Sequence, residues 1–384
     1  MNFEFATAQR IIFGSGSVRE AGKAAGGLGR KAFLVRGSNA ARAEALMDIC
    51  RASGVEIVGA CEVRTEPTIT IAVEGARLAR VSGAELVLGF GGGSVLDSAK
   101  AIAALATNIG DPLDYLEVVG RGQPLRQTPL PCMAIPTTAG TGSEVTRNAV
   151  LSAPEHRVKV SIRSPAMLPL VALVDPELTR GAPRTVITAS GMDALTQLIE
   201  PFLSSRANPL VDALCREALP RAASALRMFA SGEFDNAQAR EEMSFASLCG
   251  GLALANAGLG AVHGFAGPFG GMFGGAHGAI CATLLPHVLE ANLAALRSRQ
   301  SASAFLARFS ELAQMLTGSS DPADAIRLTR ELCQSFGFIS LRSLGANTAE
   351  YPSLIERALN ASSMRGNPIE LTRGELLRIL EAAS

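Results

Sequence analysis

The sequence lacks the features that mark nucleic-acid-binding, disulfide-rich and membrane proteins. Lysines plus arginines and aspartates plus glutamates number 35 each, so no charge of one sign attracts nucleic acid or an anionic membrane. The seven cysteines are an odd number without CxxC spacing, which argues against a disulfide framework or a zinc ribbon. No apolar run approaches the ~20 residues of a membrane helix, and the first residues, MNFEFATAQR, lack a signal-peptide pattern. We therefore expect a cytoplasmic protein with reduced thiols and a small-molecule partner.

Two kinds of pattern divide the chain near residue 180. Up to that point, short aliphatic runs (AFLV, ELVLGF, CMAI and LVALV) alternate with helical stretches, which is typical of βαβ units on a parallel sheet. Beyond Thr185 the strand pattern ends, and Ala/Leu-rich segments with helical periodicity follow. The sequence therefore predicts a Rossmann-like α/β domain over 1–180 and an all-helical domain over 181–384. Because no low-complexity linker separates them, we expect a ligand cleft between the two.

Two small-residue turns in the first half fit the phosphates of a dinucleotide. In ELVLGFGGGSVLDSAK, an apolar strand ends in three glycines before Ser94 opens a helix. Glycine lets the backbone approach a ligand, and a helix start offers unpaired N–H groups, so this turn suits an anion. Glycine also serves turns for steric reasons alone. The stretch CMAIPTTAGTGSEVT repeats the plan with three threonine hydroxyls, and two such loops at adjacent strand ends suit a dinucleotide.

Candidate metal ligands lie in the second half. In GMDALTQLIE, helical spacing places Asp193 and Gln197 on one face. Of the four histidines, His263 and His277 follow small residues on short turns, where a ring can point into a cavity, whereas we expect His287 to be structural. Two imidazoles and one carboxylate form a three-ligand set with an open position, which suits catalytic zinc or iron(II).

Six ordered motifs resemble the iron-containing (group III) alcohol dehydrogenases of the dehydroquinate synthase-like superfamily. They are GGGSVLDSAK, PTTAGTGSEVT, GMDALTQLIE, NAGLGAVHGFAGPFGG, AHGAICATLLPHVLEAN and NPIELTRGEL, and they span nearly the whole chain. The resemblance implies a dinucleotide-binding domain followed by a helical metal and substrate domain. It also implies hydride transfer between NAD(P)(H) and a small alcohol, aldehyde or ketone, and a homodimer. The implied metal ligands are Asp193, Gln197, His263 and His277, and the first, third and fourth of these are also the predicted catalytic residues.

Two positions depart from the family pattern. Gln197 stands where the family has its first metal histidine. It could coordinate weakly through its amide oxygen, or it could be a bystander of a three-ligand site of the glycerol dehydrogenase kind, or metal binding could have been lost. Gly267 replaces a further common histidine. With Phe265 it predicts a substrate pocket that takes a bulkier or more apolar carbonyl compound, unless the two are merely turn and core residues.

The choice of nicotinamide rests on the end of the second strand. Gly37 lies where NAD-preferring relatives carry an aspartate, and Arg36 precedes it, so repulsion toward a 2′-phosphate is absent and we expect NADP(H) to be preferred over NAD(H). Asp97 is also predicted to contact the cofactor, although it could instead be an acid that complements the dipole at the start of its helix. The complete predicted cofactor set is Gly37, Ser38, Asn39, Gly91, Gly92, Gly93, Ser94, Asp97, Thr137, Thr138, Thr141, Asn148 and Lys159.

Two other activities stay open on the sequence alone. Because Gln197 and Gly267 replace histidines, the protein could be a metal-free or non-catalytic nucleotide-binding homologue. It could also be a lyase similar to dehydroquinate synthase, but such an enzyme needs a basic pocket for its anionic substrate, and basic residues are few near the motifs of the helical half.

Overall fold

The computed structural model describes residues 2–338 and 340–384. They form two compact units. One unit is Ala6–Arg180, and the other comprises Gly181–Ser384 with a short amino-terminal segment that ends at Phe5. This division follows packing alone, so the roles assigned to domains 1–180 and 181–384 stay predictions.

Six parallel strands form the main sheet of the first unit. They are β1 (Arg10–Phe13), β2 (Lys31–Arg36), β3 (Glu56–Glu62), β4 (Leu86–Gly91), β5 (Cys132–Pro136) and β8 (Val171–Val174), in the order β1-β8-β5-β4-β2-β3. The four aliphatic runs predicted as strands correspond to β2, β4, β5 and β8. A separate antiparallel hairpin, β6 (Asn148–Ala153) and β7 (Val158–Arg163), was not expected.

Helices cover both faces of this sheet. They are α1 (Ala21–Gly26), α2 (Ala40–Ala52), α3 (Ile69–Val81) and α4 (Gly93–Thr107). Successive side chains of a strand point to opposite faces, so Leu34 packs in one core with residues of α1 and α2. Its neighbour Phe33 packs in the other core with residues of α3 and α4. The predicted α/β class with a parallel sheet is confirmed.

The second unit is helical throughout the part of the chain that the structure describes. Its helices are α5 (Arg184–Phe202), α6 (Pro209–Ala230), α7 (Ala237–Ala257), α8 (Ala261–Phe273), α9 (His277–Arg299), α10 (Ala304–Thr317), α11 (Pro322–Phe336), α12 (Tyr351–Asn360) and α13 (Arg373–Ala382). Local residue types mark where these helices begin and end. Asn208 caps α6 ahead of a proline, and α5 ends one residue after Pro201. The predicted all-helical carboxyl-terminal region is confirmed.

Helix α9 is long and apolar enough to cross a membrane by length and composition. Among the described residues it is the one single helix that passes this test, and α7 with α8 would pass only as a pair bent by 98°. The fold buries 78% of the apolar window of α9, however. Such burial is typical of a helix in the core of a fold.

Candidate metal and cofactor sites

Three predicted cofactor segments follow the carboxyl ends of neighbouring strands. The segment 37–39 follows β2, the glycine turn (residues 91–94) lies at the end of β4, and the threonine loop (residues 137–146) follows β5. These three strands are adjacent in the sheet. Register places Gly91 opposite Pro136, and the Thr137 N–H donates to the Gly91 carbonyl at 2.9 Å. Ligands of open parallel sheets bind at this edge, so the fold brings the predicted phosphate-binding turns together.

The two turns pack too closely for a side chain larger than hydrogen at Gly93, and they leave little room for one at Gly92. A Cβ added at Gly93 would lie 2.5 Å from Thr141 Cγ2, and one added at Gly92 would lie 3.2 Å from Thr138 Oγ1. The glycine turn and the threonines therefore form one continuous surface. Helix α4 begins there with no side-chain cap on its first N–H groups, which leaves those donors available to an anion.

The predicted cofactor residue Asp97 already has partners within the first unit. The Asp97 carboxylate accepts from Ser143 Oγ and from the Val150 N–H, and it lies 3.1 Å from the buried Lys100 ammonium. Asp97 thus ties α4 to the threonine loop and to β6, so a direct contact with the cofactor stays a prediction.

The remaining predicted cofactor residues lie around that edge. Asn39 caps α2 by accepting from the Arg42 N–H at 3.1 Å, and Lys159 pairs with Glu66 at 2.9 Å. Asn148 begins β6, and its carbonyl accepts from the Lys100 ammonium.

In the second unit, the predicted metal residues Asp193, His263 and His277 converge. They come from α5, α8 and the first turn of α9, respectively. Asp193 Oδ1 lies 3.3 Å from His263 Nε2 and 3.8 Å from His277 Nε2, and the two rings are 5.4 Å apart between centroids. Asp193 and His263 are buried, whereas 33% of the His277 side chain is exposed. Three donors thus face one point with a more open side at His277.

Gln197 adjoins this cluster through Asp193. Its amide nitrogen donates to Asp193 Oδ2 at 3.0 Å, one helical turn back on α5. Its buried Oε1 has no hydrogen-bond partner among the residues that the structure describes. Gln197 therefore takes up the carboxylate oxygen that points away from the histidines, and its place as a metal ligand stays a prediction.

Glu200 orients His263, a role that the sequence interpretation missed. Its Oε2 lies 2.7 Å from His263 Nδ1, while its Oε1 accepts from the Val262 N–H in the first turn of α8. An ionised carboxylate only accepts, so Nδ1 donates to Glu200, and whenever the ring is neutral Nε2 is the nitrogen that keeps a lone pair. Glu200 lies seven residues after Asp193 on the same helix face, which is the signal that could have found it.

Cys281 is a second residue that the sequence interpretation missed. Its Sγ lies 3.7 Å from His277 Nε2 and 3.8 Å from His263 Nε2, and one donor atom from each of these three residues and Asp193 falls within 4.8 Å of every other. The four-residue spacing from His277 on α9 was the available signal.

Electrostatic coupling shifts every member of the cluster. Burial works to raise the pKa of Asp193, but the charge of His277 and the hydrogen bond to His263 lower it overall. Burial works to lower the pKa of His263, but Cys281, Asp193 and Glu200 raise it well above its ordinary value. Protonation of such donors competes with cation binding, so the same contacts that favour a proton here would favour a metal ion.

The two predicted pocket residues lie on α8 beyond His263. Phe265 is fully buried. Gly267 lies one turn after His263, and within the described part of the chain a Cβ added to it would meet no atom within 4 Å. Open space therefore adjoins Gly267, and the substrate pocket stays a prediction.

Two family models match the chain, one within each of its two compact units. Residues 8–176 match the family model described as iron-containing alcohol dehydrogenase, and residues 187–384 match the Fe-containing alcohol dehydrogenase family, C-terminal. The chain belongs to the iron-containing alcohol dehydrogenase family. The predicted family and the predicted activity class, a metal-dependent alcohol oxidoreductase, are therefore confirmed.

Individual relatives are similar to this chain over nearly its full length. The 1,3-propanediol dehydrogenase of Klebsiella pneumoniae is 36% identical over 368 residues, which is 92% of each chain. A crystal structure of a 1,3-propanediol oxidoreductase has a TM-score of 0.89 at 32% identity and covers 100% of both chains. A sulfoacetaldehyde reductase from Bifidobacterium kashiwanohense, solved in complex with NAD+, has a TM-score of 0.85 at 28% identity and covers 99% of this chain and 98% of that one. The predicted nicotinamide and divalent metal are the cofactors of this family.

Proposed function

We propose that this member of the iron-containing alcohol dehydrogenase family interconverts a small alcohol and its aldehyde or ketone at a metal held by Asp193, His263 and His277. The observation that carries the proposal is the convergence of one Asp193 oxygen and two imidazole Nε2 atoms, with separations of 3.3 and 3.8 Å. The partial exposure of His277 leaves a side from which a substrate oxygen can approach.

The chemistry of the donors fits a divalent transition metal. One carboxylate and two imidazoles are the ligand types of catalytic zinc and non-haem iron(II) sites. The Glu200–His263 hydrogen bond of 2.7 Å is the outer-shell contact that fixes the tautomer of a ligating histidine. Gln197 similarly fixes Asp193 by donating to its second oxygen.

When bound, the metal would supply Lewis acidity toward the carbonyl or alkoxide oxygen of the substrate. The chain itself orients the reactants. Asp193 balances positive charge in a buried position, and Glu200 holds His263 against rotation. The open space beside Gly267 accommodates the carbon chain of the substrate, which favours compounds larger than ethanal.

The nicotinamide cofactor is proposed to bind in the first unit. Its pyrophosphate would lie against the glycine turn and the hydroxyls of the threonine loop, with the uncapped start of α4 pointing at it. Gly37 at the end of β2 carries no acid that would repel a 2′-phosphate, and Arg36 adjoins it. We therefore propose a preference for NADP(H) over NAD(H). A homodimer, which the sequence resemblance implies, and a cytoplasmic location, which the seven free cysteines favour, complete the proposal.

Metal analysis followed by a carbonyl-substrate panel tests the proposal. Protein purified without chelators is expected to hold a divalent metal in each chain and to oxidise NADPH when given aldehydes. The matched variants Asp193→Asn and His277→Ala should lose metal and turnover together. A protein that turns over fully without metal would contradict the proposal, and so would one that binds nicotinamide but reduces no carbonyl compound.

A further inference from the structure

Cys281 lies beside the three predicted metal donors, close enough to supply a fourth. It is buried on α9, one turn after His277, so both side chains extend from the same face of one helix. Its Sγ is 3.7 Å from His277 Nε2 and 3.8 Å from His263 Nε2. Donors bound to one tetrahedral zinc ion lie about 3.3–3.6 Å apart, given ligand distances of about 2.0–2.3 Å. These two sulfur–nitrogen separations need only a small contraction to meet that range.

Gln197 is poorly placed to be that fourth donor. Its amide nitrogen faces Asp193 Oδ2, at 3.0 Å, and rotation of the amide by half a turn would bring its oxygen against the carboxylate. Its Oε1 instead lies 3.5 Å from the Cβ position of Gly250 on α7. The amide thus contacts Asp193 at Oδ2, whereas the two imidazoles lie nearest Oδ1.

We propose that Cys281, rather than Gln197, supplies the fourth protein donor of the metal site as a thiolate. This inference rests on the proposed metal site of Asp193, His263 and His277. The thiol proton passes to solvent as the bond between Sγ and the metal forms, so binding releases one proton from this residue. A thiolate is a soft donor, and its addition to two imidazoles and a carboxylate favours zinc over iron(II).

Cobalt(II) is the probe that reports a sulfur ligand directly. The full-length protein is stripped of metal, loaded with cobalt(II) and compared with Cys281→Ser, with Cys249→Ser as a matched control that changes a buried cysteine outside the cluster. Wild type and the control are expected to show a sulfur-to-cobalt charge-transfer band in the near ultraviolet, which Cys281→Ser loses. The zinc dissociation constant of Cys281→Ser should rise at least about tenfold, with a smaller change for iron(II).

The outcomes separate this inference from the proposed function. One cobalt ion bound per chain without a sulfur band in wild type would overturn the role of Cys281 and leave the three-ligand site intact. A band that persists in Cys281→Ser would do the same. Failure of wild type to bind any of the three metals would overturn both. The double variant Gln197→His with Cys281→Ala is expected to bind cobalt without the band. This result would show that the sulfur-to-cobalt band disappears because the thiolate is absent and not because the protein unfolds.

Discussion

At the scale of single residues, the hydrogen bond between Glu200 and His263 is the most consequential contact outside the donor set. Glu200→Gln keeps the size of the side chain but presents an amide whose N–H₂ group favours the wrong tautomer of His263. Loss of such an outer-shell partner typically weakens metal affinity about 10–100-fold. We expect a shift of that size in a zinc competition titration.

The control for this change is Glu241→Gln on the exposed face of α7. It alters the net charge equally but touches no donor. If Glu200→Gln bound zinc as tightly as the control, Glu200 would be only a cap for the start of α8.

Arg36 governs the proposed preference for NADP(H), and Glu62 restrains it. The Arg36 guanidinium lies 3.1 Å from Glu62, both side chains being about three-quarters buried, and it also donates to the Gly37 carbonyl. A 2′-phosphate must compete with that carboxylate. Glu62→Gln should therefore strengthen NADPH binding relative to NADH several-fold, because the freed guanidinium can pair with the 2′-phosphate.

Fluorescence titration with both reduced nicotinamides measures that ratio. Glu74→Gln, which breaks the exposed pair with Arg77, serves as the control and should leave it unchanged. Tighter binding of NADH than NADPH by both Glu62→Gln and the wild type would contradict the preference itself.

At the scale of elements, the fit between the glycine turn and the threonine loop determines whether the cofactor site can form. In Gly93→Ala the new Cβ would approach Thr141 Cγ2 to 2.5 Å. Overpacking of this kind costs about 1–3 kcal/mol, and separation of the two loops should weaken nicotinamide binding by about tenfold or more, since tenfold corresponds to 1.4 kcal/mol. Isothermal titration and thermal melting measure the two effects.

Gly26→Ala is the matched control in the same unit. Its Cβ would meet its nearest atom at 3.7 Å, an ordinary contact. Gly93→Ala combined with Thr141→Ala removes Cγ2 and Oγ1 but leaves the Thr141 Cβ at 3.0 Å, so it should recover part of the lost melting temperature. A normal cofactor affinity in Gly93→Ala alone would show that the two loops tolerate separation.

The elements that sequence patterns predicted are those buried on both faces. Strands β2, β4, β5 and β8 read as continuous aliphatic runs because helices cover them on either side. Strand β3 lies at the edge of the sheet and is mostly half-exposed, so its sequence EIVGACE offers no such run. The hairpin β6–β7 alternates buried and half-buried positions instead. A search for continuous apolar runs does not detect either pattern.

The sequence likewise predicted part of the candidate metal site, but not all of it. The sequence motifs that contain Asp193, His263 and His277 indicated metal ligands, and the structure brings the three side chains together. Glu200 and Cys281 are visible as helical spacings, but their contacts with His263 join residues 63 and 18 positions apart. Periodicity within one helix does not say which other helix it faces, so these contacts required the packed structure.

At the scale of the whole molecule, one buried acid makes stability depend on pH. Burial raises the pKa of Glu144, in the loop after β5, from 4.5 to about 7 despite the nearby Lys100. The folded state therefore holds a proton that the unfolded state has released between those values. Stability from this residue is complete below pH 4.5 and falls as pH rises through 7, by up to about 3 kcal/mol.

Glu144→Gln should remove this dependence. The variant is expected to unfold at a higher temperature than wild type at pH 8.5, by about 2–4 °C per kcal/mol, and to differ little at pH 4.5. Differential scanning calorimetry across this range measures the change. An equal shift at both pH values would show that Glu144 does not titrate between them.

The pairing of β1 with β8 has a consequence for synthesis on the ribosome. Arg10 lies opposite Val171, which follows it by 161 positions in the chain. Strand β1 occupies one edge of the sheet and has β8 as its sole neighbour there, so it has no strand to join until almost the entire first unit has been translated. A nascent chain stalled before residue 171 would therefore carry an unpaired strand, RIIF, available to chaperones or to other nascent chains.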